Sequence, residues 1–339
     1  MTDKNVTAFE IINRRRVILG PSDKLRAQSP LKYPWTQALW KQMKDNTWDP
    51  AEISLVKDMS DYKKLSEGEE LLYTRSLAFL ANLDSIQVDN LASRLVNKIT
   101  SPEIKQCIHR QLFEEELHVE SYSRMVENTY DNPLEIYDMY RHDDVLGNKN
   151  DFITKQAELL DEGEFTPEKF LYAIDSNICL EGVFFFSGFL SFYTLARRGL
   201  MNGSSDMIKL IQRDEITHLN LFLNVRKELR KEHPELFVGE NGERIRDNCI
   251  ALIKGAVELE TKWGCHVIEG GVLGLTDDIM KNFIEYTADL RAVAMGIGVI
   301  YGTKNPITWF DKFSQPNGSE KNFFERTGHD YKSAGALEW

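Results

Sequence analysis

The sequence predicts an all-α fold, a single bundle of long helices with loose ends. Three observations predict it. Apolar residues recur at helical spacing through most of the 339 residues, with no convincing alternating strand pattern between them. Capping signals stand where the periodic segments begin: Ser66 before Glu69, Ser101 before Pro102, and Thr166 before Pro167. Four of the helices so defined carry an acid within the stripe that should face the core.

Taken in chain order, a short helix is expected near 35–44. Long helices follow near 66–98 and 102–129, each opened by a cap, then a shorter one near 143–161. The helix near 166–198 is the most apolar, and Gly199 and Gly203 separate it from the next, near 202–232, which Pro234 ends. Two more are expected near 244–268 and 276–301. The first ~30 and last ~35 residues are less periodic. The expected organisation is therefore an N-terminal extension at 1–30, a helical domain at 31–305 and a C-terminal segment at 306–339.

Composition narrows the class. Hydrophobic residues make up 42% and charged residues 28%, which fits a globular protein. The net charge of -12 argues against a nucleic-acid partner, though not against an acidic enzyme with a nucleotide substrate. The four cysteines form no CxxC pair, so a reduced, cytoplasmic setting fits best. The opening "MTDKNVTAFEIINRRRV" holds no long apolar run, so no signal peptide is expected. No run reaches about 18 consecutive apolar residues, so no membrane span is expected either.

The inward acids carry the chemistry. Glu181 lies in the stripe Ile174, Ile178, Glu181, Phe185, Gly188, and Asp84 in the stripe Leu77, Leu80, Asp84, Val88, Leu91. Glu115 and His118 share one face with Ile108, Leu112 and Tyr122; Glu215 and His218 share another with Ile208, Ile211 and Phe222. Glu114, Glu116 and Glu120 project elsewhere and read as solvated acids, and Asp89 falls on the polar side. One such inward acid would more often be a core ion pair. Four clustered carboxylates without cations would repel one another and desolvate at great cost. Two divalent metals resolve that. Two single-acid helices plus two Glu-x-x-His helices is the ligand plan of a ferritin-like helical bundle with a carboxylate-bridged dimetal site in its core. Hard oxygen donors with some imidazole suit iron or manganese. Tyr122 stands one turn beyond His118, where a phenol is easily oxidised. Phe185, Phe189, Ile208 and Ile211 would wall it from water.

The set Asp84, Glu115-x-x-His118, Tyr122, Glu181, Glu215-x-x-His218 resembles the small, radical-generating (beta) subunit of class I ribonucleotide reductase. The motifs "DSIQ", "FEEELH", "LEGVFFFSGF", "RDEITHL" and "TKNP" carry the likeness, which runs from about residue 35 to the C-terminus. The resemblance implies oxygen-dependent assembly of a dimetal–tyrosyl radical cofactor. It implies a homodimer docking on a catalytic alpha subunit, where the radical oxidises a cysteine and ribonucleotides become deoxyribonucleotides. It also implies a relay. Trp48 matches the tryptophan that passes electrons to the metal site, and Asp214 the aspartate joining it to the metal-bound His118. Tyr331 matches the tyrosine that hands the radical to the partner, and the tail ending in Leu337 and Trp339 would be the docking hook. One branch of the family has phenylalanine at the radical position and a manganese–iron pair. Tyr122 and Asp84 argue for two irons, although "RQLFEEELH" and the terminal tryptophan are similar to the Mn/Fe branch; Mn/Mn also suits the ligands. The competing reading is a ferroxidase or stand-alone dimetal oxidase of the same fold. An iron-storage protein would need no relay and far less tail, and an oxidase should have an open channel where the phenylalanines suggest closure.

Overall fold

The computed structural model describes residues 6–21, 25–26 and 29–313. It is built from helices: α1 Ala8–Asn13, α2 Trp35–Asp45, α3 Val56–Tyr62, α4 Glu67–Asp89, α5 Val96–Lys98, α6 Pro102–Thr129, α7 Leu134–Tyr137, α8 Met139–His142, α9 Asp144–Glu158, α10 Pro167–Cys179, α11 Phe186–Arg197, α12 Asn202–Glu232, α13 Gly239–Val267, α14 Asp277–Ala294 and α15 Phe310–Phe313. No strand occurs among the described residues, only two isolated bridges, Ile18 with Ile99 and Val272 with Leu275.

The caps do what the sequence asks of them. Ser66 and Glu69 form a reciprocal capping box at the start of α4, and Ser101 and Thr166 cap α6 and α10 ahead of their prolines. The start of α12 is held differently. Asp58 of α3 accepts the backbone N–H groups of Gly203 (3.0 Å) and Ser204 (2.6 Å), satisfying donors that no residue of α12 can reach. Gly203 therefore sits inside the first turn rather than between helices. A Cβ there would strike the Ser54 carbonyl.

Four elements make the centre. α4 lies along α6, α10 and α11 pack on α12, and α11 and α12 return to α4 and α6. α2 lies across α6 and α12, while α13 and α14 pair and cover the α10–α11 side. Both long helices that carry single acids contain a wide π-turn: Asn90–Leu95 joins α4 to α5, and Leu180–Phe184 joins α10 to α11. Such turns insert an extra residue and re-aim the face of a helix, and they recur at functional sites. The span Pro167–Arg197 is long and apolar enough to cross a membrane, but its most apolar stretch is buried inside the bundle. The chain on either side of the helical body also packs on it: Arg15 pairs with Glu103, and Phe310 meets Phe186, Tyr193 and Phe283.

Candidate metal centre

Asp84 on α4, Glu115 and His118 on α6, Glu181 in the π-turn and Glu215 and His218 on α12 all point into one fully buried place. They form two overlapping groups. Ligand-capable atoms of Asp84, Glu115, His118 and Glu215 lie within 4.8 Å of one another, and so do those of Glu115, Glu181, Glu215 and His218. Glu115 and Glu215 belong to both, as carboxylates bridging two adjacent ions would.

The imidazoles face the acids in the same way. His118 Nδ1 lies 2.9 Å from Glu215, 3.5 Å from Asp84 and 3.6 Å from Glu115. His218 Nδ1 lies 2.9 Å from Glu215, 3.3 Å from Glu115 and 3.9 Å from Glu181. Yet many of these atoms make no properly aligned hydrogen bond. Both oxygens of Asp84, both nitrogens of His118, Glu115 Oε2, Glu181 Oε2 and Glu215 Oε1 are buried without a hydrogen-bond partner among the described residues. Burial, then the neighbouring carboxylates, push Asp84 and Glu181 well above the usual carboxylate range. Burial would also raise Glu215, but the two imidazoles beside it outweigh that and hold it low. Burial alone would lower both histidines; the surrounding acids raise them well above the ordinary value instead. Orphaned buried donors and an excess of carboxylate are what two divalent cations would relieve, so the residues present fit a dimetal group. Four ligand carboxylates would balance two such ions.

Amides rather than lysine or arginine flank Glu181. Its Oε1 accepts from Gln87 Nε2 at 2.5 Å and Gln111 Nε2 at 2.9 Å, and Gln111 also reaches Glu115 at 2.9 Å. Asn177 and Asn90 brace Gln87 from behind, at 3.1 Å and 3.0 Å. Periodicity puts Gln111 one turn before Glu115 and Gln87 one turn after Asp84, on the ligand faces, but a neutral amide there is far cheaper to bury than a carboxylate and so does not stand out. Glu114 needs a correction. It is not a solvated acid but fully buried, with Oε2 3.0 Å from His218 Nε2 and Oε1 3.0 Å from Arg110 Nε. Glu116, Glu120 and Asp89 are exposed.

Trp48 is nearly buried; its Nε1 donates to Asp214 at 2.7 Å, and its ring stacks 6.5 Å from that of His118. Asp214 lies 3.6 Å from His118 Nε2. Tyr122 is fully buried, and its hydroxyl has no hydrogen-bond partner among the described residues. Burial, then the charges of Asp84, Glu215 and Glu115, hold the phenol well above its ordinary pKa. Phe185, Phe189, Ile208 and Ile211 belong to the same buried core, with Phe185 and Phe189 stacked at 5.7 Å. Tyr331, Leu337 and Trp339 lie outside the described residues.

A long-helix bundle whose core gathers four carboxylates and two histidines into overlapping quartets defines the class: a ferritin-like helical bundle with a buried cluster that could hold two metal ions. Comparison with known proteins narrows it. The family model for ribonucleotide reductase, small chain, matches residues 27–306. A ribonucleoside-diphosphate reductase subunit beta of Treponema pallidum is 34% identical over 337 residues, covering 96% of this chain and 93% of that one. The ribonucleotide reductase R2 subunit from Clostridium botulinum superposes with a TM-score of 0.84 at 36% identity, covering 89% of this chain and 94% of that one. A putative class I ribonucleotide reductase from Bacillus halodurans gives 0.82 at 31% identity, covering 91% and 96%. The chain belongs to the ribonucleotide reductase small-chain family, and with it to the enzyme ribonucleoside-diphosphate reductase, in which a small subunit works with a large one.

Proposed function

We propose that this chain generates and stores the radical that its large (alpha) subunit uses to reduce ribonucleotides. The observation that carries the reading is the pair of overlapping ligand quartets sharing Glu115 and Glu215, set near a buried tyrosine whose hydroxyl has no hydrogen-bond partner among the described residues. Two ions, most simply Fe/Fe with Mn/Fe and Mn/Mn as the alternatives, would be held by Asp84, Glu115, His118, Glu181, Glu215 and His218. When bound, they would supply oxygen activation and the one-electron oxidation of Tyr122.

The chain's own residues do the rest. Tyr122 keeps its proton until oxidised, because burial disfavours the phenolate. Phe185, Phe189, Ile208 and Ile211 exclude water from that region. Asp214 accepts from Trp48 Nε1 and faces His118 Nε2, a contact path from the α2 side into the centre. Tyr331 would extend the path to the large subunit, with segment 306–339 as its docking arm, residues 1–30 as an extension and 31–305 as the bundle proper. Two copies would pair as a homodimer in the cytoplasm.

The test is to strip the metal, reload with iron, admit oxygen and record the electron paramagnetic resonance spectrum. A tyrosyl signal that disappears in Tyr122→Phe is expected, with metal uptake intact. Absence of any radical under iron, manganese or mixed loading, at normal uptake, would sink the proposal. Deoxyribonucleotide formation with the cognate large subunit should vanish when residues 314–339 are removed.

A further inference from the structure

Each Glu-x-x-His motif is preceded by an acid: Glu114 before Glu115 and His118, and Asp214 before Glu215 and His218. Neither acid supports the histidine of its own helix. Asp214 of α12 faces Nε2 of His118 on α6, and Glu114 of α6 faces Nε2 of His218 on α12. The two helices exchange supports across the centre. In both rings Nδ1 looks at the ligand carboxylates and Nε2 looks outward at the exchanged acid. With Nδ1 committed, Nε2 is the nitrogen left to donate a proton to a carboxylate, and such pairing fixes tautomer and ring plane.

Each supporting acid is itself anchored to the same stretch of chain. Asp214 takes the indole N–H of Trp48. Glu114 takes Arg110, whose Nη2 reaches the Met43 carbonyl at 3.2 Å and the Thr47 hydroxyl at 2.9 Å. Arg110 occupies Glu114 Oε1, so Oε2 is the oxygen turned to His218. Glu114 is thus no seventh ligand; it stands on the far side of the ring from the cluster.

We propose that Glu114, locked by Arg110, is a positioning residue that holds His218 Nδ1 on the metal position formed with Glu115, Glu181 and Glu215. This rests on the dimetal reading. Without Glu114 the ring turns freely and leaves a buried N–H unpaired, while the position built on Asp84 and His118 keeps its own support, Asp214.

The experiment is a Mn(II) titration of the metal-free full-length chain, with free and bound ion read by electron paramagnetic resonance. Wild type should take two ions per chain and show a spin-coupled pair. Glu114→Ala should lose about 10–100-fold in affinity at one position and keep the other, so that the uncoupled, single-ion signal dominates below saturation. Glu114→Gln keeps an acceptor oxygen for Nε2–H and should recover most of the loss. Wild-type affinity at both positions in Glu114→Ala would overturn the proposal. So would an equal loss at both positions, which marks a general structural defect, or a Glu114→Gln as weak as Glu114→Ala. A wild-type chain that binds fewer than two ions would overturn the dimetal reading itself, a result distinct from a defect confined to the variants.

Discussion

Replacing Lys149 with methionine tests the packing that carries Glu181. The Lys149 ammonium on α9 is fully buried and pairs with Glu260 of α13; the other Glu260 oxygen accepts from the Ser187 hydroxyl on α11, the helix that continues from the Glu181 turn. Lys149 also lies over the ring of Phe79 of α4, 3.3 Å from its centroid, with Phe184 and Trp263 at 5.2 and 5.6 Å. One cation therefore joins α4, α9, α11 and α13. Burial pushes Lys149 down to about 8 against the pull of Glu260, so it is still charged at pH 7. Removing it leaves Glu260 buried without a cation, a change that costs about 3–5 kcal/mol. At about 2.1 cal/mol/K per residue, 339 residues have an unfolding entropy near 0.7 kcal/mol/K, so the melting temperature should fall by about 4–7 °C. Lys149→Met/Glu260→Gln removes the stranded charge but keeps an acceptor for Ser187, and should regain most of that. Calorimetry of the metal-free proteins at pH 7 reads both. A fall of less than half the expected size, or a double variant no better than the single, would refute the assignment of this pair as a tie between helices.

Trp48→Phe should keep the ring beside His118 but lose the bond to Asp214, costing about 1.5–3 kcal/mol; metal uptake and the Tyr122 radical should persist while nucleotide reduction stops, and unchanged turnover would remove Trp48 from the relay. Gly68→Ala should destabilise by about 1–3 kcal/mol in urea titrations, because its Cβ would meet the carbonyls of Gly270 and Gly271. Gly255→Ala should instead stabilise by about 0.5–1 kcal/mol, since its Cβ meets only Phe152 at 3.9 Å in mid-helix. Burial chiefly, with Glu232 adding at Tyr33, raises Tyr33, Tyr73 and Tyr130 above the phenol value of 10. Above that pH the unfolded chain loses protons that the folded chain keeps, so stability present below pH 10 falls as pH rises. The tyrosinate absorbance of these residues should appear together with the loss of helical circular dichroism, and an earlier rise would contradict their burial.

The centre was legible because a buried acid on an apolar stripe is expensive and helical spacing tells which acids those are. Asp84, Glu115, Glu181 and Glu215 are all buried where periodicity puts them, although Val88 and Leu112 of their stripes are only half buried. Helix ends were less legible where glycine decides them. Apolar residues continue to 301, yet α14 stops at Ala294 because Gly296 and Gly298 adopt φ of +77° and +96°. At the other end of its neighbour, α13 starts at Gly239, earlier than the apolar pattern suggests, because a polar first turn carries no stripe. α1, α3, α7 and α8 are seven residues or fewer and too short to show a period.

Glu114 shows the deeper reason a residue escapes such reading. A stripe analysis assumes one buried face, and it sorts Glu114, about 100° round the helix from Glu115, onto the wet side. The wet side of α6 is narrower than that: Phe113, Glu116 and Glu120 are exposed, but α2, α4 and α12 all pack on the helix. The arc that α12 covers is the one where Glu114 meets His218. Two signs of this were nonetheless in the sequence. Arg110 stands one turn before Glu114, the spacing of an ion pair. And an acid stands directly before both Glu-x-x-His motifs, a repeat that would be idle if only one of the two histidines needed an outer carboxylate. An isolated amphipathic helix would leave Glu114 in water; only a helix buried on several sides can aim two consecutive acids at opposite nitrogens of one imidazole, Glu115 at His218 Nδ1 and Glu114 at Nε2.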